Sequence, residues 1–303
     1  MRFRPLTDHV AEAEAWASQA HPRIATGFPF FDARTDGGMT YGELLVFLAR
    51  TSVGKTWWLL NVFAANKNTP TVFFSLEMHG RFVAVRLAAV ATDTNTGDIQ
   101  RNLRSGEGSP ALAGLPDLFP KFTICDEPGL NLRQMSDVLH QAEDAWGERV
   151  RLVGIDYLEL VGGVPGMERA AQVSDLARNL KNWARAHDVA LVVLHQVPRG
   201  RDGNNGHLPL TLGSGRYGGE EAADYVLAGY RPHLDPELEQ SQRELARREF
   251  YLQFLKTRGG SETHEDGVLH TMNPGSGRIR PLLPSQVYEA RQLGLPPEVP
   301  ESW

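Results

Sequence analysis

Glu43-Leu44-Leu45-Val46-Phe47-Leu48-Ala49-Arg50-Thr51-Ser52-Val53-Gly54-Lys55-Thr56 decides how this chain is read. An apolar run of strand length, 43–49, turns at once into a short loop, and a helical stretch from Lys55 to about Asn66 follows. Ala49–Thr56 has the spacing of a Walker A phosphate loop, with alanine where the first glycine usually stands. Such a loop grips a triphosphate through main-chain N–H groups at a helix N-terminus, here those of Arg50, Thr51, Ser52, Val53, Gly54 and Trp57. Lys55 can reach the β- and γ-phosphates as a point charge, and the Thr56 hydroxyl can ligate Mg2+. The plain alternative is a chance Gly-Lys-Thr at a helix start; its place between an apolar strand and a helix favours the phosphate loop.

Outward from this loop the same alternation repeats. TVFFSL (71–76), KFTICD (121–126), RLVGID (151–156), VALVVLHQ (189–196) and DYVLAGY (224–230) read as strands, and 79–92, 131–146 and about 168–186 read as helices. Short apolar strands between amphipathic helices predict an α/β fold with a mainly parallel sheet covered on both faces. FYLQFLK (250–256) and GVLHTM (267–272) predict an antiparallel hairpin on the sheet's C-terminal edge. Residues 7–20 predict a helix, and 1–22 form a unit apart from the 23–280 core. Residues 281–303, with Pro281, Pro284, Pro296, Pro297 and Pro300, read as an extended tail.

Two carboxylates stand at strand ends. Asp156 closes RLVGID, at the carboxyl edge where ligands bind in open α/β sheets, and that is the Walker B position for holding Mg2+. An Asp that merely caps a loop is the alternative, less favoured downstream of a phosphate loop. Glu77 follows TVFFSL, close enough to that edge to polarise a water attacking the γ-phosphate; a surface Glu at a strand end is the ordinary reading.

The remaining composition bounds the setting. With 31 Lys+Arg against 37 Asp+Glu the net charge is −6, which argues against a surface coated overall with nucleic acid but leaves room for a local basic channel. A single cysteine, Cys125, excludes an internal disulfide. No apolar run approaches membrane-spanning length and the N-terminus carries acidic residues, so the expectation is a cytosolic protein with no membrane partner.

Phe74-Ser75-Leu76-Glu77-Met78, with Arg86 nine residues beyond Glu77, resembles a signature of the DnaB-type replicative helicases, a RecA-like ATPase family. Further matches follow in order. Thr26-Gly27-Phe28, Gly37-Gly38 and Gly42 resemble the family's approach to its phosphate loop, and Asp126-Glu127-Pro128-Gly129-Leu130 a Pro-Gly segment after a strand. Ile155-Asp156-Tyr157-Leu158-Glu159-Leu160 is similar to its Walker B strand, and His195-Gln196 stands where Ser-Gln is usual. Asp224 precedes a strand ending in Tyr230-Arg231-Pro232, and Lys256-x-Arg258-x-Gly260 closes the set. The resemblance spans about residues 23–280. It implies ATP and Mg2+ as cofactors, Glu77 as the carboxylate that activates water, Gln196 as a γ-phosphate sensor, and Lys256 and Arg258 as a lysine and an arginine finger acting on a neighbouring subunit's ATP. Without the resemblance, Lys256 and Arg258 read as a solvated pair on an edge strand.

The same resemblance implies a homo-oligomeric ring, a hexamer, moving on single-stranded DNA. The long Gly-rich stretch 197–219 would line its channel, with Arg199, Arg201 and Arg216 supplying charge and Gly213, Ser214 and Gly215 supplying N–H donors. A mobile surface loop is the alternative there. His195 and His207 read as structural or solvated, and Trp57 and Trp58 as packing residues. Only about twenty residues precede the core, where relatives carry a domain that contacts primase and loader; helix 7–20 is expected to be the remnant of a linker helix. That short form implies a phage- or plasmid-type protein and leaves loader and primase as open partners. Two other classes use the same fold: a RecA/RadA-like recombinase that forms filaments, and a KaiC-like nucleotide switch.

Overall fold

The computed structural model describes residues 5–17, 22–162, 169–198, 204–215, 218–258 and 263–282. One sheet of nine strands organises them: β1 (Leu44–Arg50), β2 (Thr71–Ser75), β3 (Phe122–Cys125), β4 (Leu152–Asp156), β5 (Ala190–Val197), β6 (Tyr225–Tyr230), β7 (Glu249–Thr257), β8 (His264–Met272) and β9 (Ile279–Pro281). Their order is β3-β2-β4-β5-β1-β6-β7-β8-β9. The six strands from β3 to β6 run parallel, and β7, β8 and β9 continue the sheet antiparallel. The phosphate-loop strand β1 therefore sits inside the sheet, between β5 and β6.

The α-helices are α1 (Leu6–Ala17), α2 (Pro29–Asp32), α3 (Lys55–Ala65), α4 (Gly80–Thr92), α5 (Thr96–Ser105), α6 (Pro110–Ala113), α7 (Leu115–Leu118), α8 (Leu132–Trp146), α9 (Arg169–His187) and α10 (Gln240–Leu245). Every residue of β1 is buried, and alternate side chains enter opposite cores, as a strand's two-residue period requires. Leu45, Phe47 and Ala49 pack with α3 and α4; Leu44, Val46 and Leu48 pack with α8 and α9. Trp58 stacks on Phe47 with ring centroids 4.0 Å apart, fully buried, so it is a packing residue as expected.

The predicted strands and long helices all form, with shifted ends. Three differences are physical. Residues 96–105, for which the sequence predicts no element, form α5, started by Asn95, whose side chain accepts from Gly97 N–H, and stopped by Gly106 in the left-handed region at φ 81°. β8 begins at His264 rather than 267, lengthening the antiparallel edge. Pro281, expected in the tail, ends β9 opposite His270, and Leu282 is buried. The rest of the tail, 283–303, lies outside the described residues. Of the N-terminal helix, α1 covers 6–17, and its residues 6–15 are exposed, Leu6 and Val10 included.

Candidate nucleotide-binding site

Parallel strands bring their carboxyl ends to one edge of the sheet, and that edge collects most of the predicted chemistry. β1 ends in the loop 50–54, and Gly54 caps α3 at φ 113°, a conformation that an L side chain rarely adopts. Ser52 also takes a positive φ, 71°. The loop is backed from outside: a Cβ on Gly206 would lie 2.6 Å from Val53 Cγ2, so only glycine lets that segment close on it. Arg50 Nη1 donates to the Pro198 carbonyl.

Lys55 lies among Asp156, Glu77 and Glu159; burial pushes its ammonium down and those three carboxylates oppose the shift. Its Nζ stands 5.8 Å from the Tyr157 ring centroid. Thr56 Oγ1 donates to Asp156 Oδ2 at 2.6 Å, linking the first helix to the end of β4. Asp156 is fully buried and its Oδ1 completes no hydrogen bond among the described residues. Glu77 is exposed at the end of β2 and makes no hydrogen bond among the described residues. Gln196, opposite Ala49 in register, donates from Nε2 to Thr51 Oγ1 at 2.8 Å, which puts the sensor position against the phosphate loop itself.

These residues fit a magnesium-bound triphosphate. A hydroxyl and a carboxylate with an unfilled oxygen are hard oxygen ligands of the kind Mg2+ takes, while Lys55 and the loop's N–H groups answer phosphate charge. Burial pushes Asp156 up from 3.8 to about 6, with Thr56 pulling the other way and Glu77 adding to the rise. A carboxyl raised in the fold stabilises it below 3.8 and loses that contribution as pH climbs through about 6. Asp156→Asn should therefore raise the stability of the nucleotide-free protein at pH 7.5 by up to about 3 kcal/mol. The gain should shrink at pH 4, and magnesium-ATP should no longer add stability. Denaturant melts at the two pH values check this, and an equal effect at both would contradict it.

Trp57, assigned to the phosphate loop, offers only its main chain there. Its indole lies against Gly277 in the β8–β9 turn and 5.1 Å beneath the Arg86 guanidinium, whose Nη1 lies 3.1 Å from Met78 Sδ. Glu159, not singled out by sequence beyond its place in the Ile155–Leu160 match, has its side chain buried at the site, where Oε1 accepts from Gln196 N–H at 3.3 Å. Its position just after a Walker B strand was the only available signal.

Lys256 and Arg258 are not brought to this edge. β7 runs antiparallel, so Lys256 is level with Val226 and Arg258 N–H donates to the Asp224 carbonyl, at the amino end of β1. Along β1 the Arg258 level lies roughly 20 Å from Arg50, and the Lys256 level, beside Val46, roughly 13 Å. Arg258 Nη1 contacts Asp224 Oδ1 at 3.3 Å, and Lys256 Nζ donates to the carbonyls of Glu220 and Glu221 at 2.9 and 2.7 Å. Of the predicted channel residues, Gly213 and Ser214 lie in a turn closed by Ser214 N–H to the Thr211 carbonyl, 3.0 Å, and Gly215 follows it. Arg199, Arg201, Arg216 and Gly260 lie outside the described residues.

Residues 23–266 match the DnaB-like helicase C terminal domain. The chain belongs to that family. It is 31% identical over 222 residues to the replicative DNA helicase DnaB of Treponema pallidum (strain Nichols), covering 71% of this chain and 49% of the relative. It is 29% identical over 257 residues to the replicative DNA helicase DnaC of Bacillus subtilis (strain 168), covering 78% and 55%. The chain thus spans about half the length of these relatives. Among solved structures, one described as an ATPase domain superposes with a TM-score of 0.73 at 23% identity, covering 92% of this chain and 98% of that one. A DnaB-like replicative helicase described with its primase interactions gives 0.74 at 23% identity, covering 90% and 67%. Both share the fold, with its mainly parallel sheet and antiparallel edge, so the RecA-like architecture expected for DnaB-family members is the one present.

Proposed function

We propose that this chain is the motor of a DnaB-type replicative DNA helicase, hydrolysing magnesium-ATP while a ring of copies, a hexamer, moves along single-stranded DNA in the cytoplasm. The observation that carries the ring is the separation of the catalytic parts. Lys55, Thr56, Glu77, Asp156 and Gln196 gather at one edge of the sheet, whereas Lys256 and Arg258 sit roughly 13 and 20 Å down it. The γ-phosphate these two cations serve is a neighbour's rather than their own. In that site Lys55 and the loop amides orient the triphosphate, Glu77 takes a proton from the attacking water, and Arg258 of the adjacent copy answers charge developing on the transferred phosphoryl group. Magnesium, held by Thr56 and Asp156, would neutralise the phosphates. The exposed face of α1 supports a linker helix that packs on an adjacent copy.

In this reading the stretch between β5 and β6 would line the channel, with Gly213, Ser214 and Gly215 as main-chain donors and Arg199, Arg201 and Arg216 as phosphate contacts. One of the similar structures is described with its primase interactions, and primase or a loader is the partner class proposed for the assembled ring. Electron microscopy with ATP and single-stranded DNA should show closed rings, and a forked duplex should be unwound. Open filaments would favour a recombinase, and nucleotide-dependent rings without unwinding a switch.

A further inference from the structure

His195 is fully buried, and neither ring nitrogen completes a hydrogen bond among the described residues. Its surroundings are polar on both sides. Nδ1 lies 3.4 Å from Glu159 Oε1, the carboxylate that also receives the Gln196 N–H. Toward Nε2 stands the chain that follows β5: a Cβ on Gly215 would come 2.5 Å from Nε2 and closer still to Glu220 Oε1. Gly215 N–H donates to that same Glu220 oxygen at 2.7 Å, and Glu220 is itself buried. The Glu220 carbonyl in turn receives Lys256 Nζ.

An imidazole in its neutral form has one N–H and one acceptor nitrogen, so it can donate toward Glu159 or toward Glu220, not to both. Unpaired buried polar atoms are costly, which makes the choice between the two sides energetically consequential. Gln196, next in the chain, sends its N–H to the same Glu159 oxygen that faces His195 Nδ1, so a shift of the end of β5 changes what that oxygen accepts beside the ring. That end touches the phosphate loop through Thr51. Gly215 is glycine for a reason the geometry supplies: any side chain would hold this segment off His195.

We infer that His195 is a positioning residue that fastens Gly215 and Glu220 to the phosphate-sensing end of β5, so that DNA held near Gly215 and the placement of Gln196 change together. The inference rests on the helicase reading, which makes the stretch around Gly215 a DNA contact. Its test compares ATP turnover of the full chain with and without saturating oligo-thymidine, together with oligonucleotide affinity in a non-hydrolysable ATP analogue. In His195→Leu the ratio of DNA-stimulated to basal turnover should fall about tenfold, within the usual range of couplings between sites, while oligonucleotide affinity is retained. Glu220→Gln, which keeps an acceptor for Gly215 N–H but replaces the carboxylate on the Nε2 side of the ring with an amide, should lower the ratio in the same direction and guards against a His195 variant that fails to fold.

The alternatives are separable. A buried histidine that only fills space lowers both rates together or neither, leaving the ratio at the wild-type value in both variants, and that result overturns the inference alone. A wild-type chain that neither binds the oligonucleotide nor is stimulated by it overturns the helicase reading and the inference with it.

Discussion

Subunits carrying Arg258→Ala, mixed with subunits carrying Lys55→Ala, should regain ATP turnover that neither population has alone. On the proposed shared site, Lys55→Ala removes the charge that would meet the phosphates at a copy's own loop, and Arg258→Ala the donor that would be offered to the next copy. Loss of an arginine finger costs roughly 10³–10⁵ in turnover, so each pure population should be nearly silent. In random mixtures about a quarter of head-to-tail interfaces join an intact loop to an intact finger, and turnover should recover toward that fraction. Folding does not confuse the result. Arg258 is half exposed, and Asp224 keeps its bonds to Leu44 N–H and Lys181 when the guanidinium is lost. Stability should change by no more than about 0.5 kcal/mol. Mixed rings verified by native mass spectrometry but showing no recovery would remove the shared site.

The second large effect belongs to Glu77. Glu77→Gln should lower kcat by about 10²–10⁴ while leaving the apparent affinity for ATP near wild type, because general-base loss acts on the transition state. The carboxylate is exposed and makes no hydrogen bond among the described residues, so the amide breaks no structural contact. Glu77 also contributes to the raised position of Asp156, so its neutralisation eases Asp156 toward the ionised form that Mg2+ requires. Magnesium binding should then be unimpaired. Turnover close to wild type in single-turnover kinetics would exclude Glu77 as the base.

What sequence made legible follows from range. β1, the phosphate loop and α3 are adjacent in the chain, and a strand buried on both faces followed by Gly-Lys-Thr carries its own reading. Asp156 was legible because parallel strands share a carboxyl edge. α5 was not, since Thr96–Ser105 is polar and its signals are local ones, an Asn95 cap and a stop at Gly106. β9 is three residues long and ends in proline, too little for any period to show. Gln196 meets Thr51 only because β5 pairs with β1 in a register that sets Ala49 beside it. The same holds for His195, which reads from sequence as structural or solvated: its burial against Glu159 and Gly215 depends on pairings between segments far apart in the chain. The position of Lys256 and Arg258 required knowing that β7 runs backwards, which no motif states.

The placement of those two cations has a consequence for a subunit by itself. With Lys256 and Arg258 set back along the strands from the phosphate loop, the proposed shared site would leave a lone copy with half of two different reaction centres and the whole of none. Specific activity would then climb with protein concentration until rings close, and a dilute pool awaiting assembly would leave the cell's nucleotide untouched.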